Sequence, residues 1–218
     1  MTDRILVIGN KNYSSWSLRP WLLLRQAAIA FREIRIPLDQ PGTTAAILRH
    51  SPTGKVPALI DGPLTVWESL AICEWAAEQV PERQLWPADP AARATARAVA
   101  AEMHAGFPHL RAALPMDIRA RRPGHAWPAA AQADIDRVVQ IWCDCRARFG
   151  RGGSFLFGRF GVADAMFAPV ATRFLSYGVA LPPAAQAYKQ AILELPAMRD
   201  WAAAAAQETE VITYLPPL

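Results

Sequence analysis

Three short segments carry side chains that could do chemistry together. The first, Asn12-Tyr13-Ser14-Ser15-Trp16-Ser17-Leu18-Arg19, lies between an apolar run and a helical pattern. Hydroxyls there sit beside a helix start, where free backbone N–H groups and the dipole favour an anion. A thiolate is such an anion, since a thiol in that position has its pKa lowered toward neutrality. A serine O–H donating to the sulfur adds a charge-assisted hydrogen bond. The same serines would equally serve as plain helix caps. The second segment is Ser51-Pro52-Thr53-Gly54-Lys55-Val56-Pro57, just ahead of a strand signal. Pro57 cannot donate to a ladder and suits a turn, with a cis bond as one option. A cis bond would turn the Val56 N–H and C=O outward to pair with an extended peptide. Lys55 beside it could meet a carboxylate. The third is Glu68-Ser69 at a helix start, where Ser69 and the first N–H groups form a carboxylate site and Glu68 could hold an ammonium group. Each alone is also an ordinary cap or loop. One ligand with an amine, a carboxylate, a central peptide and a thiol would engage all three at once.

The elements that must position these segments fall into two halves. Ile5-Leu6-Val7-Ile8 has the length and continuous apolarity of a buried strand. A helical pattern follows from about Ser17 to Ala28, with Ser15 or Ser17 able to cap it and Pro20 in its first turn. Phe31 to Ile36 alternates as a half-buried strand does. Ala58-Leu59-Ile60 and Leu64-Thr65-Val66-Trp67 flank Asp61-Gly62 as a hairpin, and Ser69 opens a helix to about Gln79. The stretch between Pro37 and Pro57 reads as a loop. The order gives a βαβ unit with an antiparallel hairpin at its edge. Pro81, Pro87 and Pro90 mark a linker, after which the periodicity is helical. Ala91–Ala113, a helix from Asp134 to Phe149, Ala163–Ser176 and Ala184–Leu193 make up this half, with Ala202–Ala206 as a further helix-forming run. The fold class is therefore a small α/β domain followed by an all-α one.

Composition narrows the function classes. Of 218 residues, 52% are hydrophobic and 19% charged, which suits a packed core and excludes a disordered chain. The net charge of +4 is mild, and Arg119-Ala120-Arg121-Arg122 is the one dense basic cluster, read as a solvated helix end and loop, so no nucleic-acid partner is expected. Cys73, Cys143 and Cys145 make no disulfide framework and no metal site, which suits a reducing compartment. Neither a signal peptide nor an apolar run long enough to span a bilayer is legible, so a cytoplasmic protein without a membrane partner is expected.

Taken in order, Ser-Ser-x-Ser-x-Arg, Gly-Lys-Val-Pro-Ala-Leu and Glu-Ser-Leu-Ala-Ile resemble the glutathione S-transferase superfamily, over essentially the whole chain. Gly158-Arg159-Phe160-Gly161-Val162-Ala163-Asp164-Ala165 is similar to that family's buried capping box, with Gly161 where Ser or Thr is usual. The resemblance implies a thioredoxin-like glutathione-binding domain over 1–80, a linker over 81–90, and an all-helical domain over 91–218 that contributes the acceptor pocket, in a chain usually paired as a homodimer. It implies glutathione as co-substrate and a small electrophilic apolar substrate as its partner, with no metal. Ser14 or Ser15 would stabilise the thiolate, with Tyr13 as the pocket wall or the activator. Pro57 would be cis, Val56 would pair with the cysteinyl backbone, Lys55 would meet the glycyl end, and Glu68 and Ser69 would hold the γ-glutamyl end. The Ser-Ser-x-Ser pattern is similar to that of zeta-class members, including maleylacetoacetate isomerase, but Trp16 stands where that class has cysteine. Met103, His104, Phe107 and Arg111 are spaced for one helix face and would line the acceptor pocket, with His104 as acid, base or interface residue. Trp16 and Trp67 read as core or pocket wall. A glutathione-dependent isomerase and a non-catalytic binding protein are the alternatives.

Overall fold

The structure, a computed structural model, describes residues 4–213. Strands β1 (Ile5–Ile8), β2 (Arg32–Arg35), β3 (Ala58–Asp61) and β4 (Leu64–Trp67) form one sheet in the order β2-β1-β3-β4. β1 pairs parallel with β2 and antiparallel with β3, and β3 pairs antiparallel with β4. The helix α1 (Ser15–Gln26) makes the crossover between the parallel strands. This is the thioredoxin-like arrangement. Because β1 is covered on both faces, its residues divide between two cores. Leu6 and Ile8 join the main core with Leu18 and Leu22 of α1, while Val7 packs with Ile36, Ile47 and Ala58 on the other face.

Several local expectations move. α1 begins at Ser15, two residues early, because Ser14 is its N-cap, so Pro20 sits in the second turn and not the first. The stretch read as a loop contains a short helix, α2 (Thr43–Leu48). Helix α3 runs Ser69–Gln79, and a 3₁₀ turn at Pro81–Arg83 opens the linker.

The helical half comprises α4 (Pro90–Ala105), α5 (Pro108–Ala113), α6 (Ala129–Phe149), α7 (Val162–Ser176), α8 (Pro183–Glu194) and α9 (Pro196–Ala206). The Ala91–Ala113 pattern is thus two helices. The break falls at Gly106-Phe107, where Phe107 takes φ 62°, and Pro108 cannot donate to a continuing ladder. Helix α7 is buried almost throughout and packs against α1, α3, α4 and α8. At its start the Asp164 carboxylate accepts the N–H groups of Leu156 at 3.0 Å and Gly161 at 2.9 Å, the surviving half of a reciprocal box. Burial pushes the Asp164 carboxyl up to about 6, against the pull of those two donors. Gly161 has a tertiary reason. A Cβ there would lie 2.4 Å from the Leu85 carbonyl oxygen, which accepts the Val162 N–H at 3.0 Å. Among the described residues no helix is long and apolar enough to cross a membrane. Trp67, expected in core or wall, is 44% exposed at the end of the edge strand.

Candidate active site

The loop ahead of α1 is pinned from several sides. Asn10 accepts the Tyr13 and Ser14 N–H groups on its carbonyl and the Leu38 N–H on its side chain. The Glu208 carboxylate, beyond the last helix, accepts the N–H groups of Lys11 at 2.6 Å and Asn12 at 3.0 Å. Arg119 donates to the Tyr13 hydroxyl at 3.0 Å and to the carbonyls of Glu208 and Glu210. The basic cluster holding Arg119 therefore lies in the α5–α6 loop and is structural at that residue.

The two candidate serines differ. Ser14 donates its O–H to Ser17 Oγ at 2.7 Å and accepts the Ser17 N–H at 3.4 Å. Ser17 Oγ also accepts the Gly9 N–H, so the cap is tied to the end of β1. Ser15 Oγ instead accepts from Arg173 Nη2 of α7 at 3.5 Å, which leaves its proton to donate elsewhere.

Tyr13, Ser14, Ser15, Trp16, Lys55 and Val56 line a cavity of about 510 Å³, together with Arg111 and Arg173 from the helical half. A second cavity of about 240 Å³ is lined by Thr53, Pro57 and Glu68 and shares Trp16, Lys55 and Val56 with the first. The Val56–Pro57 bond is cis. The ladder begins at Ala58, so the Val56 N–H and C=O stay outside it. Glu68 takes φ 72° and ψ 128°, a sparsely populated conformation for a residue with a Cβ, directly before α3. Behind it Ser69 Oγ is buried with no hydrogen-bond partner among the described residues.

His104 bridges the halves. Its ring meets Trp16 edge-on with centroids 5.3 Å apart, and Nε2 lies 3.7 Å from Glu68 Oε2. Burial, then the positive charge of Arg19, holds its pKa below the usual value despite Glu68. At neutral pH it is uncharged, so the Glu68 contact is not an ion pair. Met103 and Phe107 lie in the main core and line neither cavity. Arg111 does line the larger cavity, but from a helix separate from Met103, so the expected single face does not exist. The reason is again the Gly106-Phe107 break.

The sequence reading missed Arg173 and Arg19. Arg173 sits in a helix whose residues after Asp164 are otherwise apolar or small, a charge where burial was already expected, and that was the available signal. Arg19 was read only as part of a motif, yet it is fully buried with its guanidinium 4.1 Å from the Trp16 ring centre.

Known proteins resemble this chain in sequence and fold. Residues 13–79, which hold all three segments apart from Asn12, match the family described as glutathione S-transferase, N-terminal domain. The sheet half of the chain is thus similar to the N-terminal domain of that family. Among similar proteins, pyrimidodiazepine synthase of Drosophila melanogaster is 39% identical over 93 residues, which span 40% of this chain and 37% of that protein. Glutathione S-transferase GstB of Escherichia coli is 25% identical over 81% of this chain and 90% of its own length. A glutathione transferase homolog from Burkholderia GL BGR1, solved with bound glutathione, superposes with a TM-score of 0.69 at 21% identity, covering 94% of this chain and 98% of that one. A separate cavity of about 320 Å³ beneath Leu85–Asp89 contains none of the three segments. Its buried carboxylate, Asp164, is already committed to backbone donors, so it is no rival site.

Proposed function

We propose that this protein is a glutathione transferase that joins the thiolate of glutathione to small electrophilic substrates. The observation that supports it is convergence: the serine segment, Lys55-Val56-Pro57 and Glu68 line two adjoining cavities that share Trp16, Lys55 and Val56. In this reading residues 1–80 bind glutathione, 81–90 link, and 91–218 supply the acceptor wall. Bound glutathione supplies a thiolate nucleophile. Ser15, at the first turn of α1, donates its free proton to the sulfur, and Arg173 holds the Ser15 oxygen from behind. Ser14 caps the helix. Val56 presents its unladdered backbone to the cysteinyl unit, and Lys55 meets the glycyl carboxylate. Ser69 Oγ, buried and unpartnered, takes the γ-glutamyl carboxylate with the first N–H groups of α3, while Glu68 takes the ammonium group. The strained Glu68 backbone fits this role, since such conformations persist where function holds them. Most of the rate would come from forming thiolate at neutral pH and holding it beside the acceptor.

The test is retention on immobilised glutathione followed by turnover of 1-chloro-2,4-dinitrobenzene. No retention sinks the reading. Retention without turnover across a substrate panel favours the non-catalytic alternative, and glutathione regenerated, not consumed, favours an isomerase of the maleylacetoacetate type. Trp16 in place of a cysteine speaks against a cysteine-assisted isomerase route. A homodimer in the cytoplasm is the expected working state, checked by light scattering and cell fractionation.

A further inference from the structure

A buried cationic group remains that the proposed tripeptide contacts do not use. None of the three guanidinium nitrogens of Arg19 has a hydrogen-bond partner among the described residues, although the side chain is fully buried. Arg111 brings a second guanidinium to 4.8 Å from the same Trp16 ring. Its Nε and Nη2 donate to the carbonyls of Gly106 and Met103, which fixes the fork and leaves Nη1 buried without a partner. Arg173, which donates from Nε to the Leu114 carbonyl and from Nη2 to Ser15 Oγ, adds a third positive charge. Burial first, then the charges of Arg111 and Arg173, holds the Arg19 guanidinium well below its usual range, although the Glu68 carboxylate pulls the other way without bonding it. Stacking on Trp16 covers the face of a guanidinium but not its N–H edge. An unpaired buried charge is costly, and a cluster of like charges more so, unless an anion completes it. A carboxylate matches a guanidinium edge in both geometry and charge.

Arg111 and Arg173 enter the larger cavity from the helical half, whereas Lys55 and Val56 enter from the sheet half. The rest of the wall near them includes Pro115, Met116, Leu38 and Ile47. A ligand with an apolar body and one anionic end fits that lining. We infer that the acceptor substrate of this protein carries a carboxylate, received by the Arg111 guanidinium at the cavity wall with Arg19 and Arg173 supplying positive potential behind it. This adds an anionic end to the small electrophilic apolar acceptor implied by the family resemblance, and it rests on the reading that glutathione occupies the sheet side of the cavity.

The experiment is calorimetric binding of 4-chloro-3-nitrobenzoate and of its neutral amide, 4-chloro-3-nitrobenzamide, each with and without saturating S-methylglutathione, whose capped thiol cannot react. The benzoate is expected to bind at least about tenfold more tightly than the amide, as a charge-assisted contact requires, and to do so with S-methylglutathione present. Arg111→Gln should abolish the difference and Arg111→Lys should restore part of it, in variants whose thermal unfolding stays cooperative. Equal binding of benzoate and amide by the native protein overturns the inference without need of any variant. Displacement of the benzoate by S-methylglutathione also overturns it, because the arginines would then serve the tripeptide's own carboxylates. If S-methylglutathione fails to bind while the benzoate preference stands, the anion site is supported and the glutathione reading fails.

Discussion

Alanine at Ser15 and alanine at Ser14 remove the same atoms from neighbouring positions, yet the structure assigns them opposite consequences. The Ser15 oxygen accepts from Arg173, and Ser15 lines the cavity, where its proton is available to a ligand. If it donates to a bound thiolate, Ser15→Ala removes a hydrogen bond to a charged group, worth about 1.5–3 kcal/mol. That converts to a loss of roughly 10- to 150-fold in kcat/KM and a rise of roughly one to two units in the bound thiol's pKa. Stability should change little, because the 3.5 Å contact to Arg173 is at the outer limit of a hydrogen bond. Ser14→Ala deletes the helix cap and the 2.7 Å bond to Ser17, at a cost of about 1–2 kcal/mol. In a chain of 218 residues that is a Tm lower by about 2–8 °C, since each kcal/mol moves Tm by about 2–4 °C at this size. The thiol pKa should stay near its native value. Ultraviolet titration of the bound thiolate, steady-state kinetics and thermal unfolding read the three quantities. If Ser14→Ala raises the bound thiol's pKa as much as Ser15→Ala does, or Ser15→Ala leaves it unmoved, the assignment from hydrogen-bond direction is wrong.

Gly161→Ser restores the residue usual in the family and should still destabilise. Its Cβ would meet the Leu85 carbonyl at 2.4 Å and displace the Val162 hydrogen bond, a net cost of about 1–3 kcal/mol by urea unfolding; a gain in stability would refute the close-approach argument. Glu68→Gly relieves a φ of 72° and should leave stability unchanged or raise it by about 1 kcal/mol. The same change should weaken glutathione binding by more than about tenfold in calorimetry, as loss of a contact to a charged group does. His104, with its folded pKa held below the unfolded value, contributes stability above the unfolded value. That stability is lost as pH falls through 6.5 toward the folded value, because the unfolded chain takes the proton first. Unfolding of native protein and His104→Gln at pH 7.5 and pH 5.5 should show a smaller acid loss in the variant, and equal losses would count against a buried neutral ring.

Much of the fold was legible because its signals are local. The β1 run, the Asp-Gly hairpin and the Ser69 start of α3 are each set by residues within one element of themselves. The Ala91–Ala113 pattern misled for the same reason in reverse. Its helix formers are real, but one positive φ at Phe107 ahead of Pro108 ends α4 and re-aims Arg111. Trp67 misled because aromatic content says nothing of which strand becomes the edge. The order of the three motifs, with the types and spacing their chemistry needs, was determined by the chain alone, and so were the two-part architecture and the family resemblance. Which serine has a proton to offer was not, because Ser14 is engaged by Ser17 three residues away and Ser15 by Arg173, 158 residues away. Nor was the arginine group around Trp16, assembled from α1, α5 and α7. Contacts of that separation depend on how helices pack, and packing is decided by the whole core at once and by no segment of it.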